Sequence, residues 1–289
     1  MSAPALAREC PGSLSALAPA DGTVSVLTGP AADPADEVGT GPALLRSVAA
    51  EGSGGWLRVY RPAPAVAFSR RDGLHPGFGQ AVRASEAHGF APVLRSPGGR
   101  AVAYHEGALC LELVVADRDA SSGATQRFVE LADVLVEALR SLGVDARVGA
   151  VPDEYCPGRH SVNGAGRVKL AGTAQRVVRG GWFLGAVLLV DGAGPVREVI
   201  APVYAALGLP CDLSTIGAAS ELRPGIDVED VEVAVLAALS RRVRLRSARG
   251  PDDLLGRSRR AALDHQHPDL PARAPSRQAP HPSPVGGPA

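Results

Sequence analysis

The chain has 289 residues, a length that fits one large domain or two small ones. Apolar residues make up 45% of it and aromatic residues only 4%, so valine, leucine and alanine must fill the core. Thirty basic and thirty acidic side chains cancel, which argues against a sequence-independent nucleic-acid binder, because such proteins usually carry a basic excess. No apolar run approaches the ~18 residues that a membrane span needs.

The four cysteines, Cys10, Cys110, Cys156 and Cys211, lie far apart and form no C-x-x-C pair. This spacing predicts neither a disulfide framework nor a zinc site. The first residues show no signal-peptide pattern. We therefore expect a reducing, cytoplasmic location.

Composition divides the chain into three parts. Residues 1–21 are rich in alanine, proline and serine and predict a flexible leader. Arginine, proline, serine and histidine dominate residues 247–289, so we expect a disordered tail there. Residues 22–246 lie between them and should form the folded domain.

Strand and helix patterns alternate along this domain. Residues 108–115 form an apolar run flanked by glycine and aspartate, which indicates a buried strand. Apolar residues recur at helical spacing from Phe128 to Leu142, so residues 125–142 should form an amphipathic helix ending at Gly143. Short strands and helices interleave irregularly, which favours an α+β fold with a mixed sheet and flanking helices. The other predicted strands are residues 23–28, 56–60, 65–69 and 182–190, and the other predicted helices are residues 196–207 and 228–240, with Asp227 capping the last.

A pair of glycines stands next to two arginines in the segment LRSPGGRAVAYHEG. Gly98 and Gly99 have no Cβ, so the backbone there can approach a ligand and offer N–H groups to a carboxylate or phosphate. Arg95 and Arg100 can donate charge-assisted hydrogen bonds to the same anion. Pro-Gly-Gly is equally an ordinary turn signal. His105 likewise either lines a site or belongs to a polar turn.

The segment YCPGRHSVNGAGRVKLAGTAQR predicts a β-hairpin that carries a thiol and an amine. Asn163-Gly164 is a strong turn signal, so Cys156, before the first strand, should lie beside Lys169 on the second. A lysine ammonium near a thiol favours the thiolate, which is the nucleophile. It can also hydrogen-bond a substrate carbonyl. The alternative is a surface lysine and an inert buried cysteine.

These segments resemble motifs of one superfamily, which contains the lipoate–protein ligases, octanoyltransferases and biotin–protein ligases. KLAGTAQR, followed by RGG, is similar to its lysine motif, and RSPGGRAVAYHEG resembles its Arg-x-x-Gly-Gly-x-Ala-Val loop. WLRVYRPAPAVAFSRRD and STIGAASELRPGIDVEDVEVAVLAAL are weaker matches. The resemblance implies a biotin/lipoate ligase-like (BPL/LPL, class II synthetase-like) catalytic domain over residues 22–246, with a mainly antiparallel β-sheet.

EYCPG, ahead of the hairpin, resembles the octanoyl amidotransferase branch, whose enzymes hold the acyl group on a cysteine. The resemblance implies that Cys156 is the catalytic cysteine and that Lys169 positions the acyl carbonyl. Arg100 replaces a glycine of many ligases, and the ligases' His-Gly after the lysine motif is missing, which favours a transferase. Further substrate-binding residues implied by the resemblance are Arg95, Ser96, Gly98, Gly99, Arg100, Ala101, Val102, Tyr104, His105, Gly158, Gly172, Thr173, Ala174 and Gln175.

The resemblance implies an acyltransferase that moves an octanoyl or lipoyl group onto a lysine of lipoyl-domain proteins through a cysteine thioester, without metal or ATP. The implied partners are the glycine-cleavage H protein, the E2 subunits of 2-oxoacid dehydrogenases or an acyl carrier protein, with neither nucleic acid nor membrane. One alternative is an ATP-dependent lipoate–protein ligase, which forms lipoyl-AMP and needs ATP and magnesium. A second is a non-catalytic binder of an acyl chain or a lipoyl domain.

Overall fold

The computed structural model describes residues 15–29 and 33–271. Within these ranges the chain forms two β-sheets with helices packed against them. The strands are β1 (Thr23–Thr28), β2 (Gly55–Tyr60), β3 (Ala65–Phe68), β4 (Ala91–Leu94), β5 (Val102–Tyr104), β6 (Ala108–Ala116), β7 (Ala146–Val148), β8 (Val162–Gly164), β9 (Val168–Val178), β10 (Gly181–Leu189) and β11 (Arg244–Ser247). The helices are α1 (Pro34–Glu51), α2 (Arg70–Gly73), α3 (Phe78–Ala87), α4 (Ala124–Ser141), α5 (Ala193–Ala206), α6 (Ala219–Leu222), α7 (Val228–Ser240) and α8 (Leu254–Leu263), with a 3-10 turn at Leu213–Thr215.

The larger sheet has eight strands in the order β11-β1-β2-β6-β10-β9-β8-β7. Its central strands, β6 and β10, are apolar along most of their length, as expected for strands covered on both faces. In this sheet order, every neighbouring pair from β2 through to β7 at the edge is antiparallel, whereas β1 pairs in parallel with both β2 and β11. The smaller sheet has the order β4-β3-β5. The predicted α+β fold with a mainly antiparallel sheet is confirmed.

Side chains along β6 alternate between two covered faces of the larger sheet. Leu111 and Leu113 point to one face and pack in a cluster with residues of α4 and α7. Val114 points to the other face and packs with Phe183 and Leu44 of α1. Cys110 and Glu112 share this second face with Val114, so it carries polar groups as well as apolar ones.

Helix α1 was not predicted, because glycines and Pro42 interrupt its apolar pattern. It begins with Asp33, whose carboxylate accepts hydrogen bonds from the N–H groups of Ala35 and Asp36 at 2.8 and 3.3 Å. A Cβ at Gly41 would lie 2.2 Å from the Phe183 ring. Glycine is therefore required where the helix crosses the sheet this closely.

Both ends of the described chain are more ordered than the composition suggests. Leu17, in the predicted leader (1–21), is fully buried in the main core. In the predicted tail (247–289), helix α8 packs on α1 and buries Ser258 and Ala261. The predictions of a flexible leader and a disordered tail are wrong for these segments, because small and apolar side chains find partners far away in sequence. Residues 1–14 and 272–289 lie outside the described ranges.

The amphipathic and capping signals placed the three predicted helices well, whereas α2, α3 and α6 were not predicted. The helix expected at 228–240 begins and ends at those residues, and the Asp227 carboxylate accepts a hydrogen bond from the N–H of Asp230 at 2.9 Å. The helix expected at 125–142 runs from Ala124 to Ser141. In the described part of the chain, no helix combines the length and the apolar character that crossing a membrane requires.

Candidate active site

A cavity of about 310 Å³ opens on the face of the larger sheet that carries Cys110 and Glu112. Strands β6, β9 and β10 form one wall, and the glycine loop after β4 and the segment before β8 form its mouth. Most of the predicted site residues line this cavity. They are Arg95, Gly98, Gly99, Val102, Tyr104, Cys156, Gly158, Lys169, Gly172, Thr173, Ala174 and Gln175.

The hairpin brings Cys156 and Lys169 together, as predicted, although its turn lies elsewhere. The chain reverses at Ala165 and Gly166, both with positive φ (53° and 70°), and not at Asn163-Gly164. The predicted turn position is wrong because the Asn163 side chain stabilises the turn from outside it. Its Oδ1 accepts a hydrogen bond from the N–H of Gly166 at 2.9 Å.

Lys169 is only 4% exposed, and its ammonium holds the turn that carries the thiol. It donates hydrogen bonds to the carbonyl oxygens of Cys156 at 2.6 Å and Tyr155 at 3.0 Å. A third bond goes to Oε1 of Glu154, also at 3.0 Å. An ammonium has three N–H groups, so all of them are engaged within the protein.

Glu154 is the buried counter-charge of this lysine, and the sequence analysis missed it. Its carboxylate also accepts hydrogen bonds from the N–H of Val151 at 2.9 Å, the N–H of Gly158 at 3.2 Å and Oγ of Ser161 at 2.6 Å. One side chain thus ties together both ends of the segment around Cys156. The one feature of the sequence that pointed to Glu154 was its position two residues before the cysteine.

Cys156 lies in the left-handed backbone region, with φ of 43°. Non-glycine residues adopt this conformation at a cost and cluster at functional sites. Its N–H donates to the hydroxyl of Tyr204 at 2.8 Å, and that hydroxyl donates to the carbonyl oxygen of Ala101 at 3.1 Å. Burial raises the pKa of Tyr204 well above its ordinary value, so the hydroxyl remains a neutral donor. Tyr204 therefore links the cysteine turn to the glycine loop.

The glycine loop lies directly against the sulfur. The N–H of Arg100 points at Sγ of Cys156 at 3.3 Å. Gly99 has φ of 106°, and a Cβ there would lie 3.1 Å from this sulfur and 2.7 Å from Nη2 of Arg95. The same Nη2 donates to the carbonyl oxygen of Arg100 at 3.0 Å and closes the loop. At position 99, only glycine leaves room for the loop to lie this close to the sulfur of Cys156 and to Arg95.

Four of the predicted substrate-binding residues do not line the cavity. The Arg100 side chain turns towards Asp72 at 3.8 Å, so this residue reaches the sulfur only through its backbone. Ser96 is buried, and its carbonyl oxygen accepts from Arg176 at 3.5 Å. Ala101 is buried behind the loop. His105 supports a turn by accepting the N–H of Gly107 at 3.1 Å, so the alternative of a polar turn is correct for it.

Small residues form a channel across the sheet from the reactive end. In one row across the strands, Gly172 of β9 pairs with Val187 of β10, which pairs with Cys110 of β6. In the next row Ala174 pairs with Gly185. Paired residues of antiparallel strands point to the same face, so these residues share the face that lines the cavity. The Lys169 side chain lies over Gly172 and the Phe183 ring lies over Gly185.

The far end of the groove is polar, which the sequence analysis did not foresee. Glu112 and Tyr60 line the cavity there, and Arg58 lies beside them. Glu112 pairs with Nη1 of Arg58 at 3.2 Å and accepts from the Tyr60 hydroxyl at 3.4 Å. Burial raises the pKa of Glu112, which the neighbouring guanidinium and hydroxyl only partly offset. A charged pair therefore closes the far end of the groove.

A thiol at the mouth of an apolar channel is suited to hold an acyl group. The sulfur can attack a carbonyl, and a backbone N–H next to it can stabilise negative charge on sulfur or oxygen. The channel is suited to an unbranched chain.

Known proteins share both the sequence pattern and the fold. The family model of the lipoyl protein ligase A/B catalytic domain matches residues 33–240. An octanoyl-[GcvH]:protein N-octanoyltransferase of Exiguobacterium sibiricum is 35% identical over 56% of this chain and 59% of its own length. A protein of the same name from Geobacillus kaustophilus is 28% identical over 61% of this chain and 62% of its own length. The chain thus matches about three fifths of the length of these relatives.

Two solved structures share the fold. A lipoate-protein ligase A bound with ATP has a TM-score of 0.67 at 20% identity, over 83% of this chain and 94% of its own. A putative lipoate protein ligase from T. acidophilum with bound lipoic acid has a TM-score of 0.64 at 20% identity, over 84% and 95%. At this identity the likeness concerns the fold alone.

Proposed function

Because the chain belongs to the lipoyl protein ligase A/B catalytic domain family, we propose that it transfers an octanoyl or lipoyl group to a lysine of a lipoyl-domain protein. The group would pass through a thioester on Cys156. The observation that carries the proposal is the thiol at the mouth of the groove, with the N–H of Arg100 at 3.3 Å from its sulfur. The names of the relatives support it.

In the first step Sγ of Cys156 attacks the carbonyl carbon of the acyl donor. A carbon–sulfur bond forms, the bond between this carbon and the donor's leaving atom breaks, and the leaving group takes up the proton that the thiol gives away. The N–H of Arg100 stabilises the thiolate before the attack. The groove meanwhile holds the chain, which fixes the carbonyl beside the sulfur.

In the second step the amine of the target lysine attacks the thioester. An amide bond forms, the carbon–sulfur bond breaks, and the thiol recovers a proton from the amine. A thioester intermediate splits one difficult amide exchange into two easier steps. The open mouth of the cavity admits both proteins in turn, as a ping-pong scheme requires.

For Lys169 we propose a role that differs from the one the resemblance implies. Since its three N–H groups already bind Glu154 and the carbonyl oxygens of Tyr155 and Cys156, it does not hold the acyl carbonyl in this arrangement. It fixes the strained turn at Cys156.

We propose GcvH, the glycine-cleavage H protein, as one carrier of the octanoyl group, because the relatives' names contain it. Lipoyl domains of E2 subunits are further partners, and an acyl carrier protein is the alternative donor. Transfer between two carriers needs neither ATP nor magnesium. The reaction belongs in the cytoplasm, where a thiol stays reduced.

Intact mass spectrometry tests the proposal directly. The protein is mixed with octanoyl-GcvH or octanoyl-acyl carrier protein, without ATP, and we expect one octanoyl adduct. The adduct should be lost in Cys156→Ser. Cys211→Ser is the matched control, since burial raises the pKa of the Cys211 thiol to about 11 and keeps it protonated near neutral pH. If the adduct persists in Cys156→Ser, or never forms, the proposed mechanism is wrong.

A second candidate is the ATP-dependent lipoate–protein ligase. It is favoured by Arg95, a buried side chain whose Nε has no hydrogen-bond partner among the described residues and which lines the cavity. This guanidinium would bind a phosphate or carboxylate well. The ligase predicts pyrophosphate release with lipoate, ATP and magnesium, and unchanged activity in Cys156→Ser. The transferase proposal predicts no pyrophosphate release and a loss of activity in Cys156→Ser.

A further inference from the structure

We propose that Glu112, together with Tyr60 and Arg58, forms a polar stop that limits methyl-terminated acyl chains to roughly the length of octanoyl. This inference rests on the proposed function, because it assumes that an acyl chain enters the groove from Cys156. It assigns a specificity role to three residues that neither hold the thiol nor contact the reacting carbonyl.

The route of the chain follows from strand pairing. The Lys169 side chain lies over Gly172, since a Cβ on that glycine would be 3.3 Å from its Cε. The reactive end therefore stands above β9. The row that begins at Gly172 crosses β10 at Val187 and ends at Cys110 and Tyr60. A chain leaving the thiol along this groove points at the Tyr60–Glu112 pair.

The length of this route determines how long an acyl chain can be accommodated. From β9 to β6 the groove crosses two strand spacings of about 4.8 Å, or about 9.5 Å in all. An extended octanoyl chain roughly covers this distance, because each carbon–carbon bond of about 1.5 Å advances the chain by somewhat less than its length. Two or four further carbons would bring the methyl end onto the carboxylate of Glu112.

The groups at that end are poorly matched to a hydrocarbon. Glu112 is 6% exposed, and the two bonds it accepts are long, at 3.2 Å from Arg58 and 3.4 Å from Tyr60. Arg58 is 2% exposed, and its Nη2 has no hydrogen-bond partner in the described part of the chain. Buried polar groups without full hydrogen bonding disfavour further dehydration. A methyl group pressed against them is therefore repelled, whereas a terminal hydroxyl would donate to the carboxylate.

The first experiment compares chain lengths in the wild-type protein. Acyl carrier protein is loaded with hexanoyl, octanoyl, decanoyl, dodecanoyl or 10-hydroxydecanoyl, and the rate of adduct formation is followed by intact mass spectrometry. We expect the rate to fall at least tenfold between octanoyl and dodecanoyl. The 10-hydroxydecanoyl donor should react at least threefold faster than decanoyl. Equal rates for octanoyl and dodecanoyl would overturn the proposal.

The second experiment removes the polar stop. In the double variant Arg58→Met/Glu112→Leu both members of the ion pair are removed together, and we expect dodecanoyl to react within threefold of octanoyl. Arg242→Met/Glu137→Leu removes a partly exposed ion pair outside the lining of the groove and should keep the wild-type profile. If the double variant does not fold, Tyr60→Phe keeps the test decisive: it leaves the ion pair in place but frees Oε1 of Glu112 from its hydroxyl donor, so the advantage of the hydroxylated chain should increase, and a smaller advantage would overturn the proposal.

A binding measurement separates this inference from the proposed function. Calorimetry with free octanoate, decanoate and dodecanoate needs no transfer. If no donor gives an adduct but octanoate binds more tightly than decanoate and decanoate more tightly than dodecanoate, the transferase proposal fails and the polar stop stands. If adducts form readily at every length and affinity rises steadily to dodecanoate, the polar stop fails and the transferase stands.

Discussion

Glu154 and Lys169 form a buried ion pair that holds the turn carrying Cys156. Both are almost completely buried, and their atoms lie 3.0 Å apart. A buried ion pair adds little to stability unless further hydrogen bonds complete it. Here Glu154 accepts three more and Lys169 donates two more. The pair is therefore satisfied, and its geometry fixes the backbone of Cys156.

Glu154→Gln should weaken both stability and acyl transfer. The amide leaves the charge of Lys169 unpaired. Its NH₂ group would also replace one of the two acceptor oxygens, so it would face either the N–H of Val151 or the N–H and O–H donors that now bind Oε1. Breaking one side of a buried pair costs about 3–5 kcal/mol, so we expect urea unfolding to show a loss of about 3 kcal/mol. The adduct rate on Cys156 should fall at least tenfold.

The matched control is Glu137→Gln. This carboxylate pairs with Arg241 and Arg242 but is 38% exposed, so its loss should cost less than about 1 kcal/mol. Its adduct rate should equal that of the wild type. A result in which the two variants lose the same stability would contradict the role given to Glu154.

At this scale the sequence predicted that Cys156 and Lys169 lie close together but not which residues support them. Cys156 and Lys169 stood in a recognisable segment, so their proximity could be predicted. Glu112 and Arg58 could not be found, because each is the residue type that usually lies on a surface. Only the pairing of β2 with β6, which joins residues 54 positions apart, brings them together beneath a helix.

Helix α5 acts on the site through one hydroxyl. Tyr204 accepts from the N–H of Cys156 and donates to Ala101, so the helix joins the two segments between which the thiol lies. In Tyr204→Phe a buried N–H and a carbonyl lose their partner, at a cost of about 1–3 kcal/mol. We expect a lower adduct rate, by about tenfold, with the chain-length profile unchanged.

Tyr155→Phe serves as the comparison. This ring is also buried and lines the cavity, but its hydroxyl is not part of the link between turn and loop. We expect its adduct rate to stay within about threefold of wild type by the same mass assay. Equal losses in both variants would mean that ring packing, and not the hydroxyl, matters.

The contact between α1 and α8 depends on a missing side chain. A Cβ at Gly39 would lie 2.3 Å from the carbonyl oxygen of Ser258, so Gly39→Ala should push the helices apart and cost about 1–3 kcal/mol. Gly194→Ala is the control, since no atom beyond its own helix backbone lies within 4 Å of a Cβ there and alanine favours a helix. Denaturation should show a loss only in Gly39→Ala.

Elements with a clear period were predictable, and those with small residues were not. Helices α4 and α7 carry apolar residues at helical spacing and were placed within one residue. Helix α1 has glycines where it must pass close to Phe183 and Ser258. These glycines weaken the local helical signal. They are needed because α1 packs closely against residues far away in the sequence, which a local pattern does not reveal. The same holds for α8, whose arginines resemble a solvated tail.

In the molecule as a whole, the groove lies where two layers fail to fill the space between them. The larger sheet supplies a floor of glycine and alanine, and α1, the smaller sheet and the cysteine turn cover it. The family resemblance predicted such a pocket, but its polar end depends on how α1 crosses the sheet. An empty apolar channel forfeits packing contacts that a bound chain restores.

Acylation should therefore stabilise the fold. Each buried methylene contributes about 0.8 kcal/mol, and a chain that fills the groove makes several such contacts, so we expect at least about 2 kcal/mol. For a domain of this size that corresponds to a rise in Tm of roughly 4–8 °C. Differential scanning calorimetry of the octanoylated protein against the free protein measures it. Cys156→Ser treated with the same donor should show no rise, and an acetyl adduct on Cys156 should give a much smaller one. An equal rise with acetyl would show that thioester formation, and not filling of the groove, stabilises the protein.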